Sequence, residues 1–157
     1  MTFDLDIATA DDMRHLGERL AGVLKAGDLV VLAGSLGAGK TTLAQGIGRG
    51  LGVRGAITSP TFVIARVHPP LATGPSLVHA DAYRIDGPLE IDDLDLDASV
   101  EEAVTLVEWG RGLVEGLAPD RLDVEITTAT ADARHVRITA HGRRWDAVDL
   151  SDLLGVR

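Results

Sequence analysis

The spacing of apolar residues changes several times along this chain, and each change predicts an element. Residues 11–24 place Met13, Leu16, Leu20, Val23 and Leu24 three or four positions apart, which predicts an amphipathic helix. Leu29-Val30-Val31-Leu32-Ala33 has no alternation, as expected for a strand covered on both faces. A short strand over residues 3–7 precedes that helix. A second helix is predicted from Lys40 to Leu51, with Gly52 just past its end as a stop signal. Further strands are expected at residues 61–67, 77–80 and 103–108, and residues 122–127 and 135–140 read as a hairpin. Residues 67–76, with three prolines and a glycine, form a loop. Pro88 opens a short predicted helix through Leu94, and a last helix is expected over residues 146–154. Strands interleaved with helices predict an α/β sandwich of three layers, with a mixed, largely parallel central sheet and the late hairpin as its antiparallel edge.

Composition narrows what such a fold can do. The 157 residues are expected to form one domain, residues 1–157, and no run approaches the ~18 apolar positions of a membrane span. The first residues carry acids and no basic flank, unlike a secretory signal, so a cytoplasmic address is the expectation. There is no cysteine, which removes disulfides, thiolate metal sites and cysteine nucleophiles. The formal net charge is −9, and nucleic-acid affinity rests mostly on cations that neutralise phosphates. Independent nucleic-acid binding is not expected; any work on RNA would need a basic partner to hold it.

Against this background one lysine stands out. The chain has only two lysines, Lys25 and Lys40, against thirteen arginines, and Lys40 closes a run of small residues. Gly34-Ser35-Leu36-Gly37-Ala38-Gly39-Lys40-Thr41 fits G-x-x-x-x-G-K-[ST], between an apolar strand and a helix as the motif requires. Glycines let main-chain N–H groups curl around phosphate oxygens without Cβ clashes. The following helix aims its unpaired N–H groups at the same anion. A compact ammonium on a flexible stem reaches the β- and γ-phosphates as a point charge, where a guanidinium prefers a planar fork. Thr41 supplies a hydroxyl for Mg²⁺. The alternative for this stretch is a glycine-rich turn that merely caps a helix.

A phosphate loop needs a second metal anchor, usually an acid ending a neighbouring apolar strand. Leu77-Val-His-Ala-Asp81 and Val104-Thr-Leu-Val-Glu108 each offer one. One would hold the metal, directly or through water, and the other would position the attacking water; each is otherwise an ordinary strand-end acid. His79, Asp81 and Tyr83 alternate; His-x-Asp alone could suggest a transition-metal pair, but no other clear ligand cluster appears, and a packed histidine is the plainer reading of His79. Arg84 is either a phosphate contact or a surface arginine. Thr58-Ser-Pro-Thr-Phe62 is a stiffened, hydroxyl-rich stretch, either one that senses a γ-phosphate in the manner of switch loops or an ordinary Ser-Pro turn. The acidic residues 90–97 form a solvated face or a docking surface for a basic partner, and Trp109 is core or interface.

The order GSLGAGKTTL, TSPTF, HADAYR, VEWG resembles the TsaE (YjeE) family, small ATPases of tRNA threonylcarbamoyladenosine synthesis, from Leu16 to about Pro119. The resemblance implies a P-loop fold, ATP and Mg²⁺ as cofactors, and Ser35, Leu36, Gly37, Ala38, Gly39, Lys40, Thr41 and Thr42 around the phosphates. It implies that Glu108 joins Thr41 as the Mg²⁺-associated acid and that Asp81 sits in a switch-type element, with Lys40, Asp81 and Glu108 as the catalytic groups. Residues 9–12 and the C-terminal hairpin would flank the adenine. It further implies a feeble ATPase that works with TsaD and TsaB to place the threonylcarbamoyl group on adenosine 37 of tRNAs reading ANN codons, the partners making the tRNA contact. Where many members have an acid shortly after Glu-Trp, this chain has Arg111.

Two rivals share the loop. A small-molecule kinase would need an arginine-bearing lid, and no such insertion is visible. A GTPase would need an Asn-Lys-x-Asp pattern, and the chain contains no asparagine. A nucleotide-gated binding module, reset by hydrolysis, is compatible with the TsaE resemblance.

Overall fold

A computed structural model describes residues 1–34, 37–53, 57, 65–81, 102–108 and 120–155, leaving aside the side chains of residues 65, 66 and 81. The strands are β1 (Thr2–Ile7), β2 (Leu29–Gly34), β3 (Ala65–His68), β4 (Ser76–Asp81), β5 (Ala103–Glu108), β6 (Arg121–Thr128) and β7 (Arg134–His141). The helices are α1 (Ala10–Ala21), α2 (Lys40–Leu51) and α3 (Leu150–Leu154), with a 3-10 turn at Arg143–Trp145.

The strands form one sheet in the order β1-β7-β6-β2-β5-β4-β3. Its centre is parallel, because β6, β5 and β2 run together and β4 follows β5 in the same direction. The flanks are antiparallel: β6 with β7, β7 with β1, and β4 with β3. The sheet is thus mixed as expected, with one difference. The late hairpin is not an edge, because β1 adds outside it and takes the edge position; Asp4 and Asp6 alternate there with buried Leu5 and Ile7, and charge on an edge discourages further pairing.

All six residues of β5 and the first four of β2 are buried, which explains why neither alternates. Val30, Leu32, Leu106, Leu122 and Val124 share one buried cluster with Leu16 and Leu20 of α1 and Leu43 and Ile47 of α2. The two helices therefore cover one face of the sheet. The expected layer on the other face falls outside the described residues, as do the predicted helix at residues 88–94 and the first four residues of the strand predicted at 61–67.

Helix ends depart from the apolar period. α1 stops at Ala21 rather than Leu24, where the Gly22 N–H closes onto Arg19 and Leu20 carbonyls; Val23 and Leu24 still pack inward from the turn that follows. The last helix begins at Leu150, because the Asp149 carboxylate caps it by accepting from the Asp152 N–H at 3.1 Å. Upstream, Arg144 is committed elsewhere. Its guanidinium grips both oxygens of buried Asp28 at 3.0 Å, donates to Val23 O and lies 4.4 Å over the Trp145 ring. That knot fixes the turn that launches β2.

On the outer seam, Arg137 Nε donates to Asp4 at 2.9 Å and the His135 ring lies between Asp4 and Asp6 at 3.1 and 3.2 Å. Hydrogen bonds from Arg137 and His135 hold the Asp4 carboxyl below its usual range, and bonds to Asp6 and Asp4 raise His135. A raised histidine stabilises below its unfolded value of 6.5 and loses that contribution as pH climbs through the raised value. The melting-temperature advantage of wild type over His135→Gln should therefore shrink from about pH 6 to about pH 8. A constant gap across that range would show the seam contributes nothing through charge.

Candidate functional site

The two long helices begin in opposite ways. α1 satisfies its own N-terminus: Thr9 Oγ1 accepts from the Asp12 N–H at 3.1 Å, and Asp11 and Asp12 occupy the first turn. α2 has no side-chain cap and no acid in its first turn, and its N-cap is Gly39 in the left-handed region at φ 115°. Its leading N–H groups thus have no side-chain cap among the described residues, and such a helix start can receive an outside anion.

The turn that feeds α2 is shaped for close approach. A Cβ on Gly34 would stand 2.8 Å from Ile126 O and 3.2 Å from the Ala38 methyl, so β2 passes β6 there only as glycine. Gly37 also has a positive φ, 78°, and Ala38 is fully buried beneath the turn. Lys40 opens α2, is only 8% exposed, and its Nζ donates to Gly34 O at 2.9 Å. The ammonium is therefore folded back across the loop that precedes it, the posture a phosphate-reaching lysine needs. Thr41 and Thr42 follow in the first turn, both half-buried. Ser35 and Leu36 lie outside the described residues.

Strand register brings the two acids together. Asp81 ends β4, Glu108 ends β5, and the two are direct parallel partners; Leu32 of β2 is the partner of Glu108 on its other side. Glu108 thus stands two residues short of the level where Gly34 opens the loop, at the carboxyl ends of the parallel strands, where open α/β sheets receive ligands. Glu108 is 4% exposed. Its carboxylate and the Thr41 hydroxyl are hard oxygen donors, the chemistry Mg²⁺ accepts. The Asp81 side chain, residues 58–62 and 90–97, Tyr83, Arg84, Trp109 and Arg111 lie outside the described residues.

One residue of this region escaped the sequence. Arg134, at the start of β7, donates from Nε to Ala38 O at 2.9 Å and from Nη2 to Gly37 O at 3.3 Å. Its Nη1 serves Thr130 O, Ala131 O and Ala133 O of the hairpin turn at 3.0–3.3 Å. One guanidinium therefore ties the hairpin tip to the carbonyls of Gly37 and Ala38 in the glycine-rich turn. Only an arginine at the hairpin's return strand could have signalled it. Arg134→Ala should raise the Kd for ATP about tenfold, equal to ~1.4 kcal/mol, within the worth of charge-assisted hydrogen bonds. Calorimetric titration checks this, and an unchanged Kd would mean the turn holds its shape unaided.

A parallel-centred sheet whose strand β2 runs through a glycine turn into an uncapped helix with Lys40 at its head defines a P-loop α/β protein. Comparison with known proteins refines this class. The family model "Threonylcarbamoyl adenosine biosynthesis protein TsaE" matches residues 7–136. The tRNA threonylcarbamoyladenosine biosynthesis protein TsaE of Streptomyces coelicolor is 60% identical over 148 residues, covering 91% of this chain and 100% of that protein. The protein of the same name from Bacillus subtilis is 36% identical over 137 residues, covering 87% and 84%. The crystal structure of Bacillus subtilis YdiB superposes with a TM-score of 0.77 at 29% identity, over 99% of this chain and 95% of that one. The chain belongs to the TsaE family.

Proposed function

We propose that this chain is a single-domain, cytoplasmic, Mg²⁺-dependent ATPase subunit that serves threonylcarbamoyladenosine formation in tRNA. The pathway follows from the family; the chemistry rests on the site. The observation that carries it is the uncapped start of α2 behind left-handed Gly39, with buried Lys40 folded over the turn.

In this reading the main-chain N–H groups of residues 35–39 and the head of α2 bind the polyphosphate, and Lys40 takes the β- and γ-phosphates. Thr41 and Glu108 would hold Mg²⁺, which would supply positive charge against the phosphate oxygens. Thr42 lines the same pocket, and Asp81, the register partner of Glu108, positions the attacking water. Arg134 braces the turn from behind.

The partners in this reading are TsaD and TsaB, which carry the transfer to adenosine 37 of tRNAs reading ANN codons and supply most of the tRNA contact. The net charge of −9 supports that division of labour, since this chain alone repels a polyanion. Slow Mg-ATP hydrolysis is expected for the isolated chain, with at least tenfold acceleration, about 1.4 kcal/mol off the barrier, when TsaD and TsaB are added. An ATPase assay that reads modified tRNA in the same tube tests this. Equal rates with and without the pair would overturn the assembly model.

A further inference from the structure

His79 sits in the middle of β4, and its side chain is completely buried. It is the register partner of Leu106, and alternation places it on the face that also carries Leu77, Val104, Leu106 and Glu108. Those apolar neighbours belong to the main core cluster. For packing alone, a leucine would suit the position better. A buried polar group without a partner costs about 1–3 kcal/mol, and an imidazole carries two ring nitrogens.

Among the described side chains, the polar exception beside it is Glu108. His79 Nε2 lies 3.2 Å from Glu108 Oε2, with the histidine side chain 0% and the glutamate side chain 5% exposed. The distance suits a hydrogen bond although the angle falls short of one, and neither ring nitrogen has another hydrogen-bond partner among the described residues. Reorienting the ring or the carboxylate to bring donor and acceptor into line would make the bond, and no other described group bonds the ring nitrogens.

We propose that His79 is a positioning residue for Glu108. As the Nε2–H tautomer it donates to Oε2, fixes the carboxylate rotamer and leaves Oε1 as the oxygen available to a metal ion or its water. This inference rests on the reading of Glu108 as the Mg²⁺-associated acid. Carboxylates that serve a metal are themselves held by hydrogen bonds, and losing such a support weakens metal binding by about 10–100-fold.

The test uses the full chain, the non-hydrolysable analogue AMP-PNP and Mn²⁺ as a spectroscopic substitute for Mg²⁺. Electron paramagnetic resonance gives Mn²⁺ affinity in the nucleotide complex, and calorimetry in EDTA gives nucleotide affinity without metal. His79→Leu keeps the bulk and removes the donor; His79→Gln restores an N–H near the position of Nε2. The expected result is Mn²⁺ binding weakened about tenfold in His79→Leu, EDTA nucleotide affinity unchanged, and recovery to within about threefold in His79→Gln. Unchanged Mn²⁺ affinity in His79→Leu, or equal losses in both variants, overturns the proposal, because packing alone then accounts for the residue. Should His79→Leu fail to fold, imidazole ¹⁵N spectra decide. An Nε2–H tautomer whose resonance moves in Glu108→Gln supports the contact, and an Nδ1–H tautomer indifferent to Glu108→Gln ends it. Full Mn²⁺ affinity in Glu108→Gln would instead defeat the metal reading of Glu108, a result separate from the ring spectra.

Discussion

Lys40→Ala should leave the fold intact and lower ATP affinity by about 10²–10³-fold, with hydrolysis falling below detection. Lys40 is the only lysine near the turn, and its Nζ already bends back to Gly34 O at 2.9 Å. A bound polyphosphate would receive at least two charge-assisted hydrogen bonds from it, each worth roughly 1.5–2 kcal/mol, so the loss is about 3–4 kcal/mol. The main-chain amides and the head of α2 remain, but a helix end supplies only ~0.3–1 kcal/mol per charge and cannot compensate. Lys40→Arg should recover little, because a planar guanidinium does not fit a turn built around a compact ammonium. Fluorescent-ATP titrations with and without Mg²⁺ measure this directly. Wild-type affinity in Lys40→Ala would remove the phosphate-binding assignment of the whole loop.

The turn behind that assignment was legible in the sequence because its physical requirements are local. Within seven positions Gly34 must pass under Ile126 O, Gly39 must turn left-handed, and Lys40 must head a helix. Each demand selects a residue type, so the residues announce the turn. The buried central strands were equally plain, since the first four residues of β2 are buried and apolar and β5 is buried throughout, apolar but for Thr105 and the terminal Glu108. Glu108 was readable as a strand-end acid, and the register makes it the neighbour of Asp81 and Leu32.

What was not legible depends on partners distant in the chain. Arg134 acts on main-chain carbonyls of Gly37 and Ala38, 97 and 96 residues away, and a carbonyl leaves no trace in sequence. His79 meets Glu108 only because β4 lies beside β5 in one register; a slip by one residue would turn the ring to the opposite face. The same holds for β1. Its alternating residues predict a strand, but nothing in them says that it closes the sheet beyond the hairpin rather than leaving β7 at the edge. Helix ends failed for a different reason: apolar period reports which residues face inward, and Val23 and Leu24 face inward from a turn as readily as from a helix.

The largest stability effect is expected at Gly46, where local and tertiary preferences oppose each other. As a mid-helix glycine it weakens α2 by roughly 0.5–1 kcal/mol relative to alanine. Yet a Cβ there would overlap the Arg14 carbonyl of α1. Gly17 makes the reciprocal contact, its Cβ falling 2.5 Å from Leu43 O and 2.7 Å from Ile47 N, and a Cβ on Gly50 would meet the Ala21 methyl at 2.5 Å. The main chains of α1 and α2 thus touch, and no rotamer change relieves a clash with a backbone carbonyl. Overpacking typically costs about 1–3 kcal/mol when side chains can shift. Here the helices themselves must separate, so Gly46→Val should cost about 3–5 kcal/mol and lower Tm by roughly 10 °C. Arg49→Val, on the exposed side of the same helix, introduces the same side chain, loses only helix propensity and a surface ion pair with Glu18, and should cost no more than about 1 kcal/mol. Urea titration and thermal melts of the pair isolate the packing term. Because α2 also carries Lys40 and Thr41, displacing it should weaken ATP binding as well, in temperatures well below the melt. A Gly46→Val protein that melts with Arg49→Val would show that α1 and α2 do not meet backbone to backbone.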